Sequence, residues 1–216
     1  MISLAREEVA EKLAEFIWNF KVGDNVAYNF RVLYTLYEQK RQLKEKDRYT
    51  LNKPIAVTVV SIIEALFYDL ICRLGEATTH FPESISQHTR VLIKNKIDKE
   101  KEWFIYKDGS GKENRYKRIK NYSFKDIIVF LKKYKLLGNE KLPIYSHLTI
   151  AAYLRNRIHI FNWFGNFEKS EVLVFDEARI NKLEDLLVEI IDIMVREYSR
   201  PFKSGLRDGW FQAMSQ

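Results

Sequence analysis

The nineteen residues PIAVTVVSIIEALFYDLIC, 54–72, constrain the fold more than any other part of this 216-residue chain. Their apolar residues fall on every side of a helix, the pattern of an element buried all round at the centre of a helical protein. Glu64 and Asp69 interrupt the run, and the charge-free part is shorter than the roughly 20 residues a bilayer span needs. Each acid inside such a helix needs a partner, because a buried lone charge is costly. Pro54 is placed to open the helix and Gly75 to end it. Arg73, four residues after Asp69, predicts an ordinary ion pair along the helix.

The rest of the chain is read around that helix. There are only 8 Gly and 4 Pro, so long helices are favoured over many short strands, and 46% hydrophobic residues suffice for a core. Leu4, Val9, Leu13, Phe16, Ile17 and Phe20 recur at helical spacing over 4–20, with Ser3 as a cap and "VGD" as the stop. Asp24 is expected to cap a helix over 25–46. Further helices are expected over about 83–101, from Ser123 to Gly138, from Pro143 onward, and from Asp176 over about 177–198. The residues "GNFEKSE" read as a loop. Two runs rich in aromatic and basic residues flank Gly109-Ser110-Gly111, the pattern of a short β-hairpin or a loop. The expectation is an all-α protein, an antiparallel helical bundle of six or seven helices in one domain over 1–216. It carries a basic and aromatic insertion at 100–125 and an irregular tail at 201–216.

Charge is unevenly spread. Residues 90–135 hold 15 Lys/Arg against 6 Asp/Glu, a net of +9, while the remainder nets −2. An anionic partner for that segment follows, set against a plain lysine-rich surface. The N-terminus, MISLAREEVAEKL, has no basic segment followed by an apolar one, so a cytoplasmic protein with no membrane association is expected. Cys72 is the one cysteine, which excludes an internal disulfide, and it is expected to be a buried, inert thiol. No phosphate-binding glycine loop, nucleophile elbow or zinc-spaced cluster is present, so no metal and no cofactor are expected. His80, His88 and His147 are scattered and read as isolated surface or core histidines.

The polar residues of "YLRNRIHIFNW", 153–163, need a different account. On a wheel turning about 100° per residue from Ile144, Leu148, Ala151, Ala152 and Ile158 form one apolar seam. Arg155, His159 and Asn162 fall inside that seam, between about 0° and 60°, and Asn156 falls outside its centre. A guanidinium in a seam requires a carboxylate, a phosphate or an open cleft. Glu64 is the internal carboxylate that also needs a partner. One arrangement is therefore an Arg155–Glu64 pair with His159 packed in the core. The other is a seam facing a cleft or a second subunit, where Arg155, His159 and Asn162 act together.

The stretch "LRNRIHIFN" resembles the signature of the HEPN superfamily, helical bundles that include many metal-independent endoribonucleases. The family motif is an arginine, usually followed by a polar residue, and a histidine further on. Arg155, Asn156 and His159 match it in order, with three residues between Arg155 and His159, a spacing shorter than the family usually has. The resemblance covers 54–75 and 143–198, with 1–50 added to that core and 100–135 as an insertion. It implies that Arg155, His159 and Asn156 are catalytic, with Asn162 and Glu64 in support. It also implies a homodimer that pairs two motifs in one cleft. The family's nucleases include toxins and phage-defence effectors, so an antitoxin or other protein partner is implied as well. The family also contains inactive members, so a module that binds RNA, a nucleotide or a protein is the alternative.

The chemistry suits these residue types. Histidine titrates near neutrality and serves as base or acid, while arginine holds two phosphate oxygens at once. Such an enzyme would cleave single-stranded RNA by attack of the 2′-hydroxyl on the adjacent phosphate. Trp103, Phe104, Tyr106, Tyr116 and Tyr122 alternate with Lys107, Arg115, Lys117, Arg118 and Lys120 in the basic segment. Aromatic faces that stack bases among cations that neutralise phosphates are a common way to hold single-stranded RNA. The competing role for these aromatics is to anchor the insertion to the helices.

Overall fold

A computed structural model of the chain describes residues 6–107, 109–119, 122–156 and 171–200. They are mostly helical, with eight α-helices, two short 3-10 segments and one β-hairpin among the described residues. Helix α1 (Arg6–Phe16) and helix α2 (Phe20–Gln42) lead through a 3-10 segment (Glu45–Leu51) into α3 (Asn52–Leu74). Helix α4 (Gln87–Lys99) precedes strands β1 (Lys101–Lys107) and β2 (Glu113–Ile119). Helices α5 (Phe124–Lys133), α6 (Pro143–Asn156), α7 (Glu171–Val174) and α8 (Glu177–Tyr198) complete the described chain.

Helix α3 is the centre of the molecule. It packs against α2, α8 and α6, while α1 packs on α8 and α5 on α6. By length and composition Glu45–Leu74 could cross a membrane, but most of its apolar window is buried against the other helices. The burial is not uniform. Ile55, Val59, Ile62, Ile63, Leu66, Phe67 and Leu70 are buried, whereas Ser61, Glu64, Ala65, Tyr68 and Cys72 form a half-buried stripe. Helical spacing puts those five on one face. Desolvation, reinforced by Asp69, pushes the Cys72 thiol up to about 11, so it stays protonated and unreactive near neutrality, as expected.

The boundary between α1 and α2 differs from the expected one, and α3 is the reason. The backbone N–H groups of Trp18 and Asn19 donate to the two oxygens of Asp69, at 2.8 and 2.7 Å. Asn19 in turn caps α2, its side chain accepting from Val22 N. The break therefore falls at Trp18-Asn19, and "VGD" runs through the first turns of α2 with Asp24 inside the helix. Arg73 and Asp69 attract each other, but no close ion pair joins them. Its guanidinium donates to the carbonyls of Phe16, Tyr198 and Ser199, closing the C-terminal ends of α1 and α8. An acid and a base four residues apart thus serve different helix ends.

Two caps follow the sequence, while α2 ends at Gln42, α3 begins two residues before Pro54 and α4 begins at Gln87 rather than 83. Ser123 accepts from Asp126 N at the start of α5, and Asp176 accepts from Arg179 N at the start of α8. Gly75 caps the end of α3, and a Cβ there would lie 2.6 Å from Ile97 Cγ2, so the close approach of α4 suits glycine. Gly138 has φ +101°, a left-handed turn that suits glycine. The hairpin is present, antiparallel, with Lys101 opposite Ile119 and Lys107 opposite Glu113. The expected loop over 165–171 lies outside the described residues except for Glu171, which begins the short α7. The Ser3 cap and the tail over 201–216 lie outside the described residues.

Candidate functional site

Helix α6 presents one buried side: Ile144, Tyr145, Leu148, Ala151 and Leu154. It shares Ile144, Leu148 and Ala151 with the seam read from the sequence, adds Tyr145 and Leu154, leaves Ala152 half-buried, and packs on α3, α5 and α8 of the same chain; Ile158 lies outside the described residues. Arg155 continues the seam at the last turn, where the packing opens. Its Nη2 lies 2.8 Å from Glu64 Oε2, with side-chain exposures of 38% and 20%. The two arrangements weighed for Arg155 therefore meet in one place: it pairs with Glu64, and the pair stands in a cleft.

The cleft measures about 640 Å³ and is lined by Asn25 from α2, by Ser61, Glu64 and Tyr68 from α3, by Ser123 at the cap of α5, and by Arg155. Tyr122 and Ile127 also border it. Burial pushes the Glu64 carboxyl above its ordinary range, and the neighbouring Arg155 charge opposes that shift. The N-terminal end of α5 points its first turn at the same cleft through Ser123 and favours an anion there. Asp126, whose Oδ2 accepts from the Ser123 hydroxyl, tempers that end's charge.

Asn156, the last residue of α6, is exposed and does not line the cleft. His159 and Asn162 lie outside the described residues, as does Lys120. The other histidines take no part in the cleft. His80 Nδ1 meets the Arg73 carbonyl at 2.9 Å and its ring meets Trp18, while His88 and His147 are exposed on α4 and α6. A histidine for the cleft can thus come only from position 159 of this chain or from another molecule.

Strand register divides the basic and aromatic set. Residues directly opposite in an antiparallel pair share a face, and neighbours along a strand alternate. Trp103 pairs with Lys117 and Ile105 with Arg115, so Trp103, Lys107, Arg115 and Lys117 lie on one face. Tyr106, Tyr116 and Arg118 lie on the other, with Phe104. Ile105, half exposed, and Lys107, exposed, show that the first face meets solvent at its outer end. At the inner end, Lys101 Nζ donates to Asp98 and to the Gly75 carbonyl, which fixes the hairpin to the ends of α3 and α4.

Sequence reading missed Asn25, Ser61, Tyr68 and Ser123 as cleft residues. Ser61 and Tyr68 were within reach, since they sit three residues before and four after Glu64 and share its face. Asn25 and Ser123 come from other elements and left no such signal. No family model matches the chain, and no curated protein or solved structure matches it either.

Proposed function

We propose that this chain is a HEPN-like, metal-independent endoribonuclease that cleaves single-stranded RNA, its helices forming the antiparallel bundle of that family. The observation that carries the reading is the placement of Arg155. Glu64 holds its guanidinium in an open cleft that also receives the start of α5 and Tyr122, just beyond the basic hairpin. A chain of RNA laid on the Trp103, Lys107, Arg115 and Lys117 face would reach the cleft along its own backbone.

In the reaction, the 2′-oxygen attacks the adjacent phosphorus while a base takes its proton. The bond from phosphorus to the 5′-oxygen breaks, and that oxygen leaves with a proton from an acid. Arg155 stabilises the charge that builds on the phosphoryl oxygens. His159 carries a proton and Asn162 orients phosphate or base, while Asn156, expected to share that task, is exposed outside the cleft. One histidine per chain supplies one proton carrier, so a homodimer that joins two motifs completes the site.

A second reading has its own observation. The Glu64 carboxylate already neutralises Arg155, which suits a binding module without catalysis. Incubating purified protein with single-stranded RNA in EDTA, beside His159→Ala, separates the two. Cleavage by the wild type that the variant loses supports the nuclease. RNA bound by both without cleavage selects the binding module.

A further inference from the structure

A groove of about 470 Å³ runs between the middle of α8 and the turn that joins α5 to α6. Its floor is apolar: Leu137 and Ile193 are buried, Val188 is half-buried, and Leu142 stays 44% exposed. Gly138 leaves the room that Leu142 fills, since a Cβ there would lie 2.8 Å from Leu142 Cδ1. Three acids and one base edge the groove: Asp185, Glu189, Asp192 and Arg196. Asp192 is held by Lys12 at 2.7 Å, and Arg196 by Glu197 at 2.8 Å. Asp185 and Glu189 are exposed and make no ion pair among the described residues.

The acidity extends beyond the groove. Helices α1 and α8 pack together and hold 10 Asp/Glu against 5 Lys/Arg, a net of −5, whereas residues 90–135 net +9. Two copies attract each other where regions of such opposite charge meet. The hairpin offers a matching shape. Ile105 is 50% exposed, and Lys107 and residues 109–112 of the turn are exposed, so its outer end is open to a neighbour. Register places Lys107, Glu113, Arg115 and Lys117 on the Ile105 face, a net of +2 against the −2 of the groove. Arg115 and Lys117, two apart on a strand, are separated by about 7 Å. Asp185 and Glu189, four apart on a helix, are separated by about 6 Å.

We propose that this groove receives the basic hairpin of a second copy of the chain. Ile105 packs on Leu142 and Val188, while Arg115 and Lys117 meet Asp185 and Glu189. Exchanged both ways about a twofold axis, the contact forms twice. It is separate from the composite cleft, since the groove shares no lining residue with the cleft around Arg155. It therefore stands without the ribonuclease reading. On that reading it would also cover the hairpin face assigned to RNA.

Sedimentation equilibrium of the full chain tests it. At about 50 mM salt the average mass is expected to rise with concentration above its value at about 500 mM, because screening weakens a contact between charges. Asp185→Lys with Glu189→Lys, Arg115→Glu with Lys117→Glu, and Ile105→Asp are each expected to weaken the association about tenfold or more. An equal mixture of the two charge-reversed proteins sets opposite charges together in both contacts. It is expected to restore association to within about threefold of the wild type, which also shows that both variants fold. Arg155→Ala is expected to leave the association unchanged. The proposal is overturned if the wild type shows no salt-sensitive association, or if any of the three groove and hairpin variants associates as well as the wild type. It is equally overturned if the mixture associates no better than its components, or if Arg155→Ala abolishes association.

Discussion

Arg155 Nη2 stands 2.8 Å from Glu64 Oε2 and joins the last turn of α6 to the middle of α3. Both groups keep contact with solvent, so the pair contributes little stability, about 0–1 kcal/mol. Its effect on an anion in the cleft is larger, because Glu64 both aims the guanidinium and repels phosphate. Glu64→Gln is therefore expected to bind single-stranded RNA more tightly at low salt while cleaving it more slowly. Filter binding and single-turnover cleavage on one preparation check this, and affinity and rate falling together would contradict it.

Asp69 gives a pH dependence to stability. The carboxyl is 1% exposed, and burial pushes it up to about 6 even though Trp18 N and Asn19 N favour the charged form. Its folded value lies above the ordinary one of 3.8, so the folded state binds the proton first. The contribution is complete below about pH 4 and is lost as pH rises through about 6. Relative to Asp69→Asn, which does not titrate there, the wild type should lose up to about 3 kcal/mol between pH 4 and 7. Urea denaturation of both proteins across that range measures the difference, and a constant difference contradicts the assignment.

These two acids show what could be read from the chain alone. Helix periodicity located α3, α6 and α8, and the seam of α6 named Arg155 and its partner Glu64 together. The cap residues Ser123 and Asp176 were legible because capping is local. The roles of Asp69 and Arg73 were not, since their partners are backbone groups from α1, the start of α2 and the end of α8, far away in sequence. A local i, i+4 rule predicted a pair where tertiary contacts placed two separate caps.

The hairpin faces make opposite predictions. Arg115→Ala with Lys117→Ala removes two cations from the Trp103 face and is expected to weaken single-stranded RNA binding. It should also reduce the slope of log affinity against log salt by about 1.4, near 0.7 per lost phosphate contact. Arg118→Ala, on the other face, is expected to change the slope little. Equal effects from both faces, or a flat salt dependence in the wild type, would remove the hairpin from RNA binding.

The proposed dimer has a direct physical readout. Size-exclusion chromatography with light scattering at micromolar concentration is expected to give twice the 25.8 kDa chain mass. Mixing Arg155→Ala and His159→Ala proteins is then expected to restore activity that neither has alone if each site draws on both copies. A monomer mass would rule out the composite cleft.

The chemistry of the cut ends decides whether the chain cleaves RNA through its 2′-hydroxyl. With EDTA present, mass spectrometry of RNA cleaved by the wild type is predicted to show 2′,3′-cyclic phosphate and 5′-hydroxyl ends, with Arg155→Ala leaving the RNA intact. Intact RNA with the wild type, 5′-phosphate ends, or unchanged cleavage by Arg155→Ala would contradict it.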